Sequence, residues 1–394
     1  MRPRKVCDGI QWVGAIDWDR TLFDELIPLP DGTSYNAYLV TGSEKTALVD
    51  AVDPTKNDVL CSMLDMAGIK KLDYVVANHA EQDHSGSIPF MLERYPEAQL
   101  LCSTKAKGIL MDLLQIAEER IVTVADGDSV SLGDMTLQFI HAAWVHWPET
   151  MLTYVPERRV LFSCDLFGSH LATSDLFVSD PSRVYRGAKR YFAEIMMPFR
   201  TNIAKHMEKL AAYDIDIIAP SHGPLHDSPS FIMDAYREWV SGPPLNKVVI
   251  PYISMHGSTQ VLVDRLVSSL ADRNVAAVPH HLSSGDTGRL AMELVDAGTV
   301  VLGTPTVLAA AHPLVAYAAI LANALRPKVQ FASIIGSYGW GGKAVDQLLS
   351  LVPNLKVEVL DPVIVKGYPR EADLQAIDAL AALIAEKHKV SNLK

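Results

Sequence analysis

Thiols, basic residues and long apolar runs are all scarce in this 394-residue chain. The four cysteines (Cys7, Cys61, Cys102, Cys164) show no CxxC or zinc-ribbon spacing. They read as reduced thiols, which argues against a disulfide framework and a thiolate metal site. Lys and Arg number 35 against 46 Asp and Glu, a net charge of −11. An acidic chain without a basic patch lacks the footprint on which nucleic-acid affinity rests, so no nucleic-acid partner is expected. The longest apolar stretch, Leu314 to Leu325, is twelve residues and is broken by Asn323, whereas a membrane helix needs roughly twenty. Arg2, Arg4 and Lys5 form a basic start without the apolar run of a signal peptide. The expectation is a cytoplasmic protein without a membrane partner.

The chain is rich in apolar residues, at 49%, and histidine stands out, with 13 in all and eight before residue 245. Several histidines lie beside acids, so chemistry is expected through imidazole and carboxylate rather than thiolate. At roughly 150 residues per domain the length predicts two or three domains. The segment Ser241-Gly-Pro-Pro-Leu-Asn246 punctuates the chain, giving domains of 1–245 and 246–394. After the break, apolar strands (247–253, 275–278, 299–304, 328–335, 356–360) alternate with helical patterns, which predicts a doubly wound parallel five-stranded sheet, a flavodoxin-like α/β domain. Before it, strands near 35–40, 46–52, 130–140, 152–155 and 160–163 mix with helices near 56–67, 86–94, 104–116, 184–196 and 201–213. This is an α+β layout of two sheets sandwiched between helices.

The strand Asp73-Tyr-Val-Val-Ala-Asn78 runs directly into His79-Ala-Glu81-Gln-Asp83-His84, four potential ligands within six residues. Further candidates follow strand-like segments: His146 in Trp144-Val-His-Trp-Pro148, Asp165 after Val160-Leu-Phe-Ser-Cys164, and His222 after Ile217-Ile-Ala-Pro-Ser221. Taken singly, each reads more readily as a capping or core residue than as a ligand. Their common placement makes them a metal constellation.

This pattern, with Gly32-Thr-Ser-Tyr-Asn-Ala-Tyr38, His146-Trp-Pro-Glu-Thr150 and Ser221-His-Gly223, resembles the flavodiiron proteins (A-type flavoproteins). Members of that family join a metallo-β-lactamase-like αββα sandwich to a flavodoxin-like half, and the resemblance spans nearly the whole chain. It implies that His79, Glu81 and His146 hold one iron, that Asp83, His84 and His222 hold the other, and that Asp165 bridges. Where zinc hydrolases of this fold carry a second imidazole, this chain has Glu81, and the added charge and hardness favour an iron pair. His170 is expected as a hydrogen-bond donor beside the metals, and His226 and His141 as structural residues.

In the second half, Ser254, Met255, His256, Gly257, Ser258 and Thr259 precede a helix, where hydroxyls and backbone N–H groups suit a phosphate. Two more loops at strand ends join them: Thr304, Pro305, Thr306, Val307 and Leu308, then Ser337, Tyr338, Gly339, Trp340 and Gly341. Tyr338 or Trp340 is placed to flank an isoalloxazine ring. No GxGxxG fingerprint appears, which disfavours a nicotinamide site. The family often has polar residues after the Thr-Pro-Thr turn; this chain has Val307-Leu-Ala-Ala-Ala311. FMN is the implied flavin.

The resemblance further implies reduction of O2 to water or of NO to N2O. Within one chain of the family the two cofactors lie far apart, which implies a head-to-tail homodimer or a dimer of dimers. No rubredoxin-like CxxC or flavin reductase segment is appended, so a separate donor, rubredoxin or a reduced deazaflavin, is expected. Two other readings compete: a binuclear zinc hydrolase with a regulatory flavodoxin-like half, against which Glu81 argues, and a plain electron-transfer flavoprotein, against which the full ligand complement argues.

Overall fold

The computed structural model describes residues 1–283 and 285–393. Two compact units emerge, Met1–Tyr191 with Phe199–Val240, and Ser241–Lys394 with the short segment Phe192–Pro198. The expected linker is shorter than its Gly-Pro-Pro suggests, because Leu245 already begins the strand Leu245–Tyr252.

The first unit contains a seven-stranded and a five-stranded sheet. In the larger sheet, Thr46–Val49, Tyr74–Ala77, Gln99–Ser103 and Ile121–Val124 run parallel, and the earlier strands add antiparallel. The smaller runs antiparallel from Ser129–Ser131 to Val160–Cys164, and Ile217–Pro220 then joins parallel. Val49 and Val76 of one sheet and Phe139 and Phe162 of the other share one core, so the sheets face each other. Every residue of Met151–Val155 and Val160–Cys164 is buried, as expected for strands covered on both faces.

Several elements differ from expectation. The predicted strand 130–140 is a hairpin, Ser129–Ser131 with Thr136–His141, because Gly133 turns between them with φ +105°. Arg4–Cys7, Ile10–Trp12, Gln99–Ser103 and Ile121–Val124 are strands that were not anticipated. The helix expected over 184–196 closes at Tyr191 and continues as a wider turn, Phe192–Met196.

The second unit is a parallel sheet in the order Ala276–His281, Leu245–Tyr252, Ala297–Val307, Phe331–Tyr338, Glu358–Val359, the doubly wound order of flavodoxin-like folds. Successive residues feed opposite faces: Val248 and Ile250 pack with the helices Ser258–Ala271 and Glu371–Val390, and Val249 packs with Pro313–Leu325. The predicted last strand, 356–360, pairs only over Glu358–Val359, and Val363–Lys366 completes that edge. No described helix is long and apolar enough to cross a membrane.

Candidate functional site

The metal constellation gathers where strands of the first unit end. Beyond Tyr74–Ala77 the chain bends at Asn78 and loops to Glu81 (φ −61°, ψ 141°), then coils into the single turn Gln82–Ser85. His79 and Glu81 are thereby offered from the loop, and Asp83 and His84 from adjacent helical positions. Asp165 follows Val160–Cys164, whose last residue is left-handed (φ 50°), and His222 follows Ile217–Pro220. Non-glycine residues are held in that region at Asp50, Trp144, Cys164 and Phe167 as well, a clustering of costly backbone states typical of functional sites. Gly223 (φ 78°) is required: a Cβ there would meet Ser169 Oγ at 2.2 Å.

Two groups of candidate metal donors result. In one, His79 Nε2 and His146 Nε2 lie 3.1 and 3.0 Å from Glu81 Oε2, and 3.5 and 3.4 Å from Asp165 Oδ2. In the other, His84 Nε2 lies 3.3 Å from Asp83 Oδ1, and His222 Nε2 lies 3.2 Å from Asp83 Oδ2. Asp165 Oδ1 is 3.0 Å from His84 Nε2 and 3.5 Å from His222 Nε2, so one carboxylate gives an oxygen to each set. Donor atoms within each set fall within 4.8 Å of one another.

The site calls for positive charge. Burial opposes charging of His79, yet hydrogen bonds to Glu149 and Glu81 push it up to about 10. His84 rises to about 10 against its burial, through Asp83 and Asp165, and His146 likewise through Asp165 and Glu81. Burial favours the protonated forms of Glu81 and Asp165, but the surrounding imidazoles hold both well below the usual carboxylate range. Both oxygens of Asp83, Oδ2 of Asp165 and both nitrogens of His84 are buried without a hydrogen bond. Unpartnered buried acceptors are costly unless something else binds them. Mixed nitrogen and oxygen donors around an electron-rich pocket fit two adjacent divalent cations.

The flavin residues are arranged differently. Gly257 (φ 88°) opens the helix Ser258–Ala271, and Thr259 Oγ1 is buried there without a partner. A cavity of about 220 Å³ is lined by Met255, His256, Ser258, Thr259, Pro305 and Thr306, with Ser337, Tyr338 and Gly339 opposite. A second cavity of about 480 Å³ shares Thr306 and Tyr338 and adds Gly341. Ser254 accepts a bond from Gln260 N (3.1 Å), and Thr304 donates to Pro305 O (2.8 Å). Ser254, Gly257 and Thr304 shape these loops without lining either cavity, and neither do Val307, Leu308 or Trp340. Leu308 and Ala309 form a left-handed turn (φ 50° and 63°) joining Ala297–Val307 to Ala310–Ala311, with Leu308 89% exposed. A cavity at a helix start carrying Ser258 and Thr259, beside a wider glycine-lined space, fits a flavin nucleotide.

The chain is similar to known proteins over nearly its whole length. A family model described as ODP family beta lactamase matches residues 33–223. A nitric oxide reductase of Moorella thermoacetica is 36% identical, covering 98% of this chain and 99% of that protein. The structure of rubredoxin oxygen:oxidoreductase from Desulfovibrio gigas matches with TM-score 0.94 at 30% identity, over 98% and 99% of the two chains. The flavodiiron protein from Giardia intestinalis matches with TM-score 0.89 at 27% identity, over 98% of both. The chain belongs to the flavodiiron family. It is accordingly an oxidoreductase, with a lactamase-like and a flavodoxin-like half.

In this flavodiiron protein further residues, without a local motif of their own, bond to the candidate donors. Glu149, fully buried, accepts from His79 Nδ1 (2.6 Å) and Ala80 N (3.0 Å). The Tyr191 hydroxyl donates to Asp165 Oδ1 at 2.7 Å, and burial followed by that carboxylate pushes its pKa well up. Asp50 accepts from Asn78 N and Nδ2 beneath the ligand loop (2.8 and 2.9 Å). The Ser34 carbonyl accepts from His222 Nδ1 at 2.7 Å. Glu149 stood inside the quoted His146–Thr150 motif, but nothing local signals a partner seventy residues away. His170 lies beside His222 and Tyr191, with ring centroids 4.6 and 4.8 Å away; burial and then His222 hold it well below the usual histidine range. His226 Nε2 contacts Phe167 O (3.2 Å) and His141 Nε2 contacts Val124 O (3.1 Å), both outside the ligand sets.

Proposed function

We propose that this flavodiiron protein reduces O2 to water or NO to N2O at two irons, held by His79, Glu81 and His146 on one side and Asp83, His84 and His222 on the other, with Asp165 bridging. The observation that carries the reading is Asp165, whose two oxygens are divided between two ligand sets, one of them containing Glu81. Carboxylate in place of a second imidazole favours redox-active iron over zinc. When bound, the irons supply two electrons at the substrate and reduced FMN two more. Dioxygen then takes four electrons and four protons to give two waters; two NO take two electrons and two protons to give N2O and water.

The chain's own groups hold this site in register. A carboxylate or carbonyl can only accept, so Glu149 and Ser34 O keep the protons of His79 and His222 on Nδ1 and leave the Nε2 lone pairs for metal. The Tyr191 O–H holds the Asp165 carboxylate in its shared position. Burial of His79, His84, Asp165 and His222 excludes bulk water. In the second unit, Ser258, Thr259 and the helix start suit the FMN phosphate, and Thr306 and Tyr338 border the space for its ring.

Electrons are proposed to come from a separate donor, rubredoxin or a reduced deazaflavin. A head-to-tail homodimer or dimer of dimers is proposed to bring the flavin of one copy to the metals of another. The test is metal and flavin analysis of the purified protein, then anaerobic reduction and stopped-flow mixing with O2 and with NO. Iron and FMN with rapid reoxidation by either gas are expected. Two zincs without iron, or a reduced protein that consumes neither gas, would overturn the proposal.

A further inference from the structure

We propose that Thr33 is a positioning residue that fixes the tautomer of His170, leaving its Nε2–H as a hydrogen-bond donor to oxygen atoms handled at the neighbouring metal pair. The proposal rests on the diiron reading above.

The inference follows from counting protons along Thr33–Ser34, in the strand Thr33–Tyr35. His222 Nδ1 lies 2.7 Å from Ser34 O and 3.5 Å from Thr33 Oγ1. A carbonyl oxygen cannot donate, so the His222 proton sits on Nδ1, and Thr33 Oγ1 can only accept on that side. The single Thr33 hydroxyl proton then has two destinations: its neighbour's carbonyl at 3.3 Å, already engaged by His222, or His170 Nδ1 at 2.9 Å. The shorter contact to the less engaged acceptor takes the proton. His170 Nδ1 therefore accepts, and its own proton lies on Nε2.

That Nε2 is buried and has no hydrogen-bond partner. Elsewhere in a protein interior such an orphaned N–H would be paired. Here the ring packs among Phe23 (centroids 5.0 Å apart), Tyr191 and His222, and the hydrogen bond at Nδ1 fixes which edge it presents. Thr33 thus sets His170 Nδ1 as an acceptor from the same strand whose Ser34 carbonyl holds His222 Nδ1–H.

The test uses full-length protein labelled with 15N-histidine and loaded with zinc, which is diamagnetic and needs no turnover, with the His170 signals identified from His170→Gln. The expected spectrum shows His170 protonated on Nε2 and bare on Nδ1. Thr33→Ser retains that tautomer, and Thr33→Val converts it to the Nδ1–H form or a mixture. In the iron-loaded enzyme, Thr33→Val should lower kcat roughly tenfold with KM unchanged, and Thr33→Ser should restore it. A wild-type His170 protonated on Nδ1 or on both nitrogens overturns the inference, as does a Thr33→Val spectrum identical to wild type. If the tautomer is as expected but reduced enzyme consumes neither O2 nor NO, the proposed function fails and the positioning role of Thr33 stands.

Discussion

The candidate metal centre and the candidate flavin site are both made by loops at the ends of strands, yet they are built on opposite principles. The candidate metal centre is made of side chains: seven charged or titratable groups converge in a buried pocket, and hydrogen bonds accepted by Glu149 and Ser34 O and donated by Tyr191 fix how three of them are presented. The flavin site is made of backbone and space: cavities of about 220 and 480 Å³ walled by glycine, threonine and helix-end amides, with Trp340 and Leu308 standing out in solvent. A site of converging charges fails when one atom is lost. A site of distributed backbone contacts degrades gradually.

The largest expected effect is at the side-chain-built centre. Asp165→Ala and Glu81→Ala should each lower bound iron and reduce turnover by more than about a hundredfold, with flavin content unchanged. Metal analysis beside flavin absorbance reads both halves at once; equal loss of flavin would break the contrast. Next is Glu149→Gln, which keeps shape but removes the charge behind His79. It should cost about 10- to 100-fold in iron affinity, measured against a competing chelator. Unchanged affinity in a folded variant would show that His79 needs no oriented partner.

Acidity separates the two regions in another way. In the metal-free site His79, His84 and His146 stay protonated up to about pH 10, against an ordinary value of 6.5. A raised folded-state pKa contributes stability in full below about pH 6.5 and loses it as pH climbs through 10. The unfolding midpoint of metal-free protein should therefore fall between pH 7 and pH 10. Over the same window iron affinity should rise, because each imidazole must shed its proton to bind, by up to about tenfold per pH unit for each proton displaced. Calorimetry in buffers of different ionisation heat would register the released protons; if none are released, the protons were not there. The smallest effect belongs to the flavin loops. Leu308→Gly relieves a left-handed leucine that is 89% exposed and packs against little, and should stabilise the second unit by about 0.5–1 kcal/mol. Denaturant unfolding followed by flavin release would measure it.

The same division governed what could be read from sequence. The donor cluster was legible because His79, Glu81, Asp83 and His84 crowd a few positions after an apolar strand, and the parallel sheet because Val248 to Ile250 form an uninterrupted apolar run. Glu149 and Tyr191 were not, since each acts on a residue tens of positions away, and such pairing is settled only by folding. Arg4–Cys7 and Ile10–Trp12 were missed because mixed polarity on an outer strand resembles a polar loop. Gln99–Ser103 and Ile121–Val124 are too short to declare a period. Leu308 and Ala309 broke the usual preference for Asn or Gly in a left-handed turn, so the hairpin there had no sequence signal.

Asp165 carries one more consequence. Its two oxygens face different donor groups, and the Tyr191 hydroxyl holds one of them before any metal binds. On the diiron reading, an ion bound in either group would engage the carboxylate that the other group shares, so metal titration is expected to show the two seats filling together rather than independently.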